Sequence, residues 1–195
     1  MLDAIIMREW DYGYYSFNSK WAEGEQMASM RNGQGDEWFC GFGLPGAFLK
    51  GFDHESKMSP WNMETPKVWP GVLDNVPEDF KPFATEPAFS MNDTTFCTWR
   101  GVRDAQWNTG KISYPEGDDP DGSAWMLAVL DGNPDTYKAW AEDYHENPIS
   151  LSAVQQIYGH LPLTLELVQE LNATPDFGSV LTDAAEIDYH VARSS

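Results

Sequence analysis

Three consecutive residues, Asp53-His54-Glu55, are the stretch of this chain whose side-chain types could do chemistry. A histidine can serve as a general base near neutral pH, and two carboxylates with separated pKa values can serve as acid and base. If the strand continues through them, Asp53 and Glu55 share a face and His54 takes the other. The candidate catalytic set is therefore Asp53, His54 and Glu55. The competing reading is a polar strand end whose side chains bond turn backbone. No metal site is expected, because His145, His160 and His190 are the other histidines and none stands in a ligand spacing such as H-x-x-x-H. No cofactor is implied, since G-x-S-x-G, P-loop and G-x-G-x-x-G patterns are all missing from the sequence. Trp61, Trp99 and Arg100 are the candidate ligand-binding residues, as aromatic faces and a guanidinium can stack or hold an anion. An internal salt bridge is the alternative for Arg100 in a chain with 31 acidic and 12 basic residues.

Trp38, Cys40 and Phe42 alternate with Phe39, Gly41 and Gly43, the period of two that a strand requires. Leu44-Pro45-Gly46 supplies turn chemistry. Ala47 to Phe52 resumes as a second strand, with Phe48, Lys50 and Phe52 on one face, so the triplet leaves the end of a central hairpin. Upstream, the aromatic run from Trp10 to Phe17 predicts a strand that ends in the polar stretch 18–24, and Glu25 to Arg31 predicts another. With the turn Asn32-Gly33-Gln34-Gly35-Asp36, these make a four-stranded antiparallel meander. Asp53 to Pro77 is irregular and proline-rich, followed by a helical turn at Pro77–Phe80 that stops near Pro82. Thr94 to Arg100 alternates as a strand, Gln106 to Ser113 is weakly extended, and the length of the run Ser123–Leu130 favours strand over helix.

The acidic stretch Glu116 to Gly122 does not fit a calcium loop, because Gly117 and Ala128 stand where ligands are needed; it reads as a solvated turn. After Asn133 the pattern becomes helical. Asn133-Pro134, Ser150 and Thr174-Pro175-Asp176 read as helix starts, and Tyr137, Trp140, Ala141 and Tyr144 begin a series of apolar stripes. Each helix has one apolar side, and the sheet is the expected partner. The fold class is α+β, an N-terminal antiparallel meander sheet packed against C-terminal helices. The expected organisation is one domain over 1–195, strand-rich over 1–130 and helical over 133–192.

The net charge of −19 argues against direct nucleic-acid or anionic-membrane binding and favours basic partners. Cys40 and Cys97 lie in apolar strands, where they could face one another across a sheet as buried thiols. The N-terminal residues lack a signal-peptide pattern and no run reaches the length of a membrane span, which predicts a cytoplasmic protein. The 9 tryptophans supply large apolar areas for a core or an interface.

Across GAFLKGFDHESKMSPW, WPGVLDNVPEDFKPF, EPAFSMNDTTFCTWR and YKAWAEDYHENPISLSAVQQIYGHLPLT the chain resembles a set of uncharacterised bacterial cytosolic proteins. That resemblance implies no activity and transfers no site residue. In composition alone the chain is also similar to bacterial immunity proteins, without a motif of their familiar superfamilies. The functional expectation is a non-enzymatic, acidic, cytosolic binding protein, immunity- or regulator-like, that recognises a protein partner, by charge a basic one. The alternative is a small-molecule enzyme of hydrolase type using Asp53, His54 and Glu55 beside Trp61 and Trp99. A third reading is a subunit interface built on exposed tryptophans.

Overall fold

The computed structural model describes residues 1–7 and 13–192. The part of the first predicted strand at Trp10–Tyr12 lies outside them. The chain divides into two compact units, one formed by Met1–Ser19 with Leu127–Ser195 and the other by Lys20–Met126. The fold is α+β, as the pattern of periods predicts. A six-stranded antiparallel sheet has the order β1-β2-β3-β4-β5-β6. Its strands are β1 (Tyr15–Ala22), β2 (Glu25–Arg31), β3 (Glu37–Gly43), β4 (Gly46–Phe52), β5 (Phe96–Gly101) and β6 (Asn108–Thr109). The helices are α1 (Leu2–Ile6), α2 (Lys81–Ala84), α3 (Ser123–Met126), α4 (Pro134–His145), α5 (Leu151–Tyr158), α6 (Leu165–Leu171) and α7 (Phe177–Ile187). No helix among the described residues is long and apolar enough to cross a membrane.

Register explains the core of the strand-bearing unit. Phe39 pairs with Lys50, which pairs with Cys97, and Gly41 pairs with Phe48, which pairs with Trp99. Directly opposed residues share a face. That face is covered by the proline-rich segment that follows β4, through Met58, Val72, Phe80, Phe83 and Phe89. Phe89 stacks on Phe39 at 5.2 Å, and Phe83 stacks on Phe48 at 6.2 Å. The Phe83 ring lies over Gly41, where an added Cβ would come within 2.5 Å of it. Gly41 is thus a close approach that keeps a ring flat on the sheet. Lys50 is fully buried in this face, and its ammonium donates to Glu37 at 3.2 Å and to the Asp93 carbonyl at 2.8 Å.

The helix-bearing unit has its own core. The stripes of α4 to α7 meet one another and α1 through residues such as Leu2, Ile5, Ala141, Val154, Leu167 and Val180. Side-chain oxygens of Asn133, Ser150, Thr164 and Asp176 accept backbone N–H bonds at the four helix starts. Beneath these helices Asp3 is buried, accepting from the Tyr15 N–H at 2.7 Å and the Tyr137 hydroxyl at 2.8 Å.

Four sequence expectations are corrected. Cys40 shares its face with Leu49 and Cys97 shares the other with Lys50, so the two thiols do not face one another. Burial pushes both thiols up to about 12. Residues 123–130 form α3 and a 3₁₀ turn at Ala128–Asp131 instead of a strand. The first strand does not end at Asn18 but runs to Ala22, because ladder pairing with β2 tolerates polar side chains on an edge strand. Finally, Pro82 does not stop the turn after Pro77: it sits in the first turn of α2, where its missing N–H has no intrahelical partner to lose.

Candidate functional site

Asp53 is the first residue past β4, and its carboxylate builds the turn that follows. Oδ1 accepts the Glu55 N–H at 2.9 Å and the Ser56 N–H at 3.0 Å. Oδ2 accepts the Trp125 indole N–H at 2.9 Å. The side chain is 8% exposed. Gly122 closes over it: its φ is +78°, and an added Cβ would come within 2.2 Å of Asp53 Oδ2. Around it Thr95 accepts the Asp53 N–H and donates to the Asp121 carbonyl, while Ser56 donates to the Pro120 carbonyl at 2.8 Å. The acidic turn at 116–122 is therefore fastened to the exit of β4. Asp119 accepts the N–H groups of Ala124 and Trp125, both at 3.0 Å, which starts α3 and aims Trp125.

His54 engages the β2–β3 turn through Asp36. Its backbone N–H donates to Asp36 Oδ1 at 2.8 Å, and its Nδ1 lies 2.7 Å from the same oxygen. Asp36 is buried, and its other oxygen accepts from the Asn32 side-chain amide. The hydrogen bond to Asp36 raises the His54 pKa above 6.5, reinforced by the charges of Asp36, Glu55 and Asp53. His145, by contrast, is lowered below 6.5 by burial, and both its ring nitrogens are buried without a hydrogen-bond partner. The signs are opposite. The His54 contribution to stability is complete below 6.5 and is lost as pH rises through its folded value. The His145 contribution is complete above 6.5 and is lost as pH falls towards its folded value. Imidazole resonances followed by NMR are expected to titrate above 6.5 for His54 and below 6.5 for His145, and Asp36→Asn should move only the former.

A cleft of about 410 Å³ opens beside this turn, lined by Asp36, Asp53, Glu55, Ser56, Lys57, Gly117, Asp118, Asp119, Pro120 and Trp125. Five of those side chains are carboxylates and one is an ammonium. Asp36, Asp53 and Asp119 are held by protein N–H groups. Lys57 donates to the Glu116 carbonyl at 2.7 Å. Glu55 and Asp118 are exposed and make no side-chain hydrogen bond or ion pair among the described residues. Trp125 is 44% exposed.

Ligand atoms of Asp36, Asp53 and His54 lie within 4.8 Å of one another, close enough to share a cation. Both carboxylates also accept hydrogen bonds from backbone, indole or amide donors.

Of the sequence-derived set, Asp53 and Glu55 line the cleft, and His54 adjoins it without being part of the lining. The other three lie elsewhere. Trp99 is in the core of its unit at 5% exposure, and Trp61 is 63% exposed with its indole donating to Asp93 at 3.0 Å. Arg100 is exposed near the other end of β5, its Nε donating to the Asp104 carbonyl at 3.1 Å, a backbone partner and no salt bridge among the described residues. Trp125, Asp118 and Asp36 are the residues that sequence reasoning missed. The available signal was Asp119 and Asp121 just before Ser-Ala-Trp-Met, an N-terminal capping pattern that argues for helix and exposes a tryptophan.

No family model, no curated protein and no solved structure matches the chain.

Proposed function

We propose that the protein is a binding protein whose acidic cleft receives a basic side chain of a protein partner. The observation that supports this reading is the lining itself, in which Glu55 and Asp118 are uncommitted carboxylates next to an exposed indole fixed by Asp53. A guanidinium or ammonium is favoured by both chemistries, as an ion-pair partner and over an aromatic face. The net charge of −19 adds long-range attraction for a basic surface and raises its encounter rate.

Fluorescence anisotropy with a labelled arginine-rich peptide tests the reading. Saturable binding that weakens with salt is expected. Glu55→Gln or Asp118→Asn should each weaken it about tenfold, the scale of one charge-assisted hydrogen bond at ~1.4 kcal/mol. Equal affinity for the wild type and both variants would remove the cleft from consideration.

A second reading, a hydrolase, is favoured by the Asp36–His54 pair, since a carboxylate on Nδ1 orients an imidazole as a general base. It requires hydrolysis of a small ester or amide that disappears in His54→Gln.

A further inference from the structure

The two ends of β4 differ in character. At its far end lies the acidic cleft. At its start, Leu44 is 93% exposed and Val102 is 74% exposed. They sit on adjoining turns, because the Val102 N–H donates to the Pro45 carbonyl at 3.0 Å and Gly46 pairs with Gly101. One exposed apolar side chain is ordinary, but two on neighbouring turns form a small contact surface. Arg100 and Arg103 flank them, both exposed, and the Arg103 side chain has no hydrogen bond or ion pair among the described residues. Two carboxylates lie nearby: Asp104 accepts from the Gly101 N–H and the Asn108 side-chain amide, both at 2.9 Å, and the Glu25 side chain lies against Gly43. An apolar tip with two guanidinium groups thus stands out from a chain of net charge −19.

We infer that this tip docks into the acidic cleft of a second copy of the chain, head to tail. The match is of charge and of apolar surface: Arg103 and Arg100 meet Glu55 and Asp118, while Leu44 and Val102 meet Trp125 and Pro120. The inference rests on the cleft being a site for basic side chains, and it names this chain as a partner that carries one. The two patches lie at opposite ends of a strand roughly 20 Å long, so a copy cannot close on itself. The contact is heterologous and can extend beyond a dimer. Like net charge on both copies opposes it, so it forms as a weak contact at high concentration.

Sedimentation velocity over about 10 μM to about 1 mM, the range of weak contacts, is the first measurement. The weight-average mass of the wild type is expected to rise across that range. A tip variant, L44D with R103E, and a cleft variant, E55K with D118K, are each expected to stay monomeric. All four positions are exposed, so folding is retained, which circular dichroism checks. Mixing the tip variant with the cleft variant leaves one intact patch of each kind, and it should not restore chains longer than a 1:1 dimer. Mass that does not rise for the wild type, or rises equally in either variant, overturns the inference. If the wild type stays monomeric yet still binds the arginine-rich peptide in a Glu55-dependent way, self-docking fails and the cleft reading survives. If the peptide also fails to bind, both fail.

Discussion

Asp53→Ala is expected to lower the unfolding free energy by about 4 kcal/mol, the scale of leaving several buried donors without an acceptor. Three donors converge on this carboxylate: the N–H groups of Glu55 and Ser56, and the Trp125 indole. Truncation frees all three and opens space beneath Gly122. Asp53→Asn is the informative companion. Its carbonyl can still serve the two backbone donors, but its amide then faces the indole N–H, which is a donor only. The substitution should therefore still cost about 2 kcal/mol, the scale of a mispaired buried group. Urea unfolding followed by tryptophan fluorescence checks both values. A loss below about 1 kcal/mol in Asp53→Ala would contradict the structural role, being no more than one ordinary hydrogen bond.

Asp3→Ala is expected to cost about 3–5 kcal/mol in the other unit, the range for breaking a buried charged network from one side. Asp3 is 5% exposed and accepts from the N–H groups of Tyr14 and Tyr15 and from the Tyr137 hydroxyl. Here Asp3→Asn should be tolerated far better than Asp53→Asn. The Tyr137 hydroxyl can rotate and accept from the new amide, which an indole cannot do. The carboxyl pKa of Asp3 is raised above 3.8 by burial, which outweighs the bonds it accepts. The folded state therefore binds the proton more tightly than the unfolded one. Its contribution to stability grows as pH falls through the folded value towards 3.8, and diminishes as pH rises. Asp3→Asn should abolish that part of the pH dependence, which urea titrations between pH 4 and 7 would reveal.

The contrast between these carboxylates shows what was legible in the sequence. The hairpin 38–52 was readable because period-two alternation and Leu44-Pro45-Gly46 agree, and β3 and β4 fall where both place them. The helix starts at Asn133, Ser150 and Asp176 were readable because capping is local chemistry. The run Ser123–Leu130 was misread because its apolar composition suits either period. What decides it is capping by Asp119, whose bonds to Ala124 and Trp125 reach five and six residues along the chain. Asp53-His54-Glu55 was found by residue type, but its partners were beyond sequence. Asp36 is 18 residues from His54 and Trp125 is 72 from Asp53, and only the packed fold brings them together. The fold also separates what the sequence grouped, since Trp99 and Arg100 are adjacent in sequence, yet one is in the core and the other is exposed.

The most direct test of the acidic cleft follows the Trp125 indole N–H resonance by NMR during titration with an arginine-containing peptide. The cleft reading predicts a saturable shift in the wild type that is lost in the Glu55→Gln, Asp118→Asn double variant, with the indole bond to Asp53 retained in both. A Trp125 resonance that does not move, or that moves equally in the double variant, would contradict it.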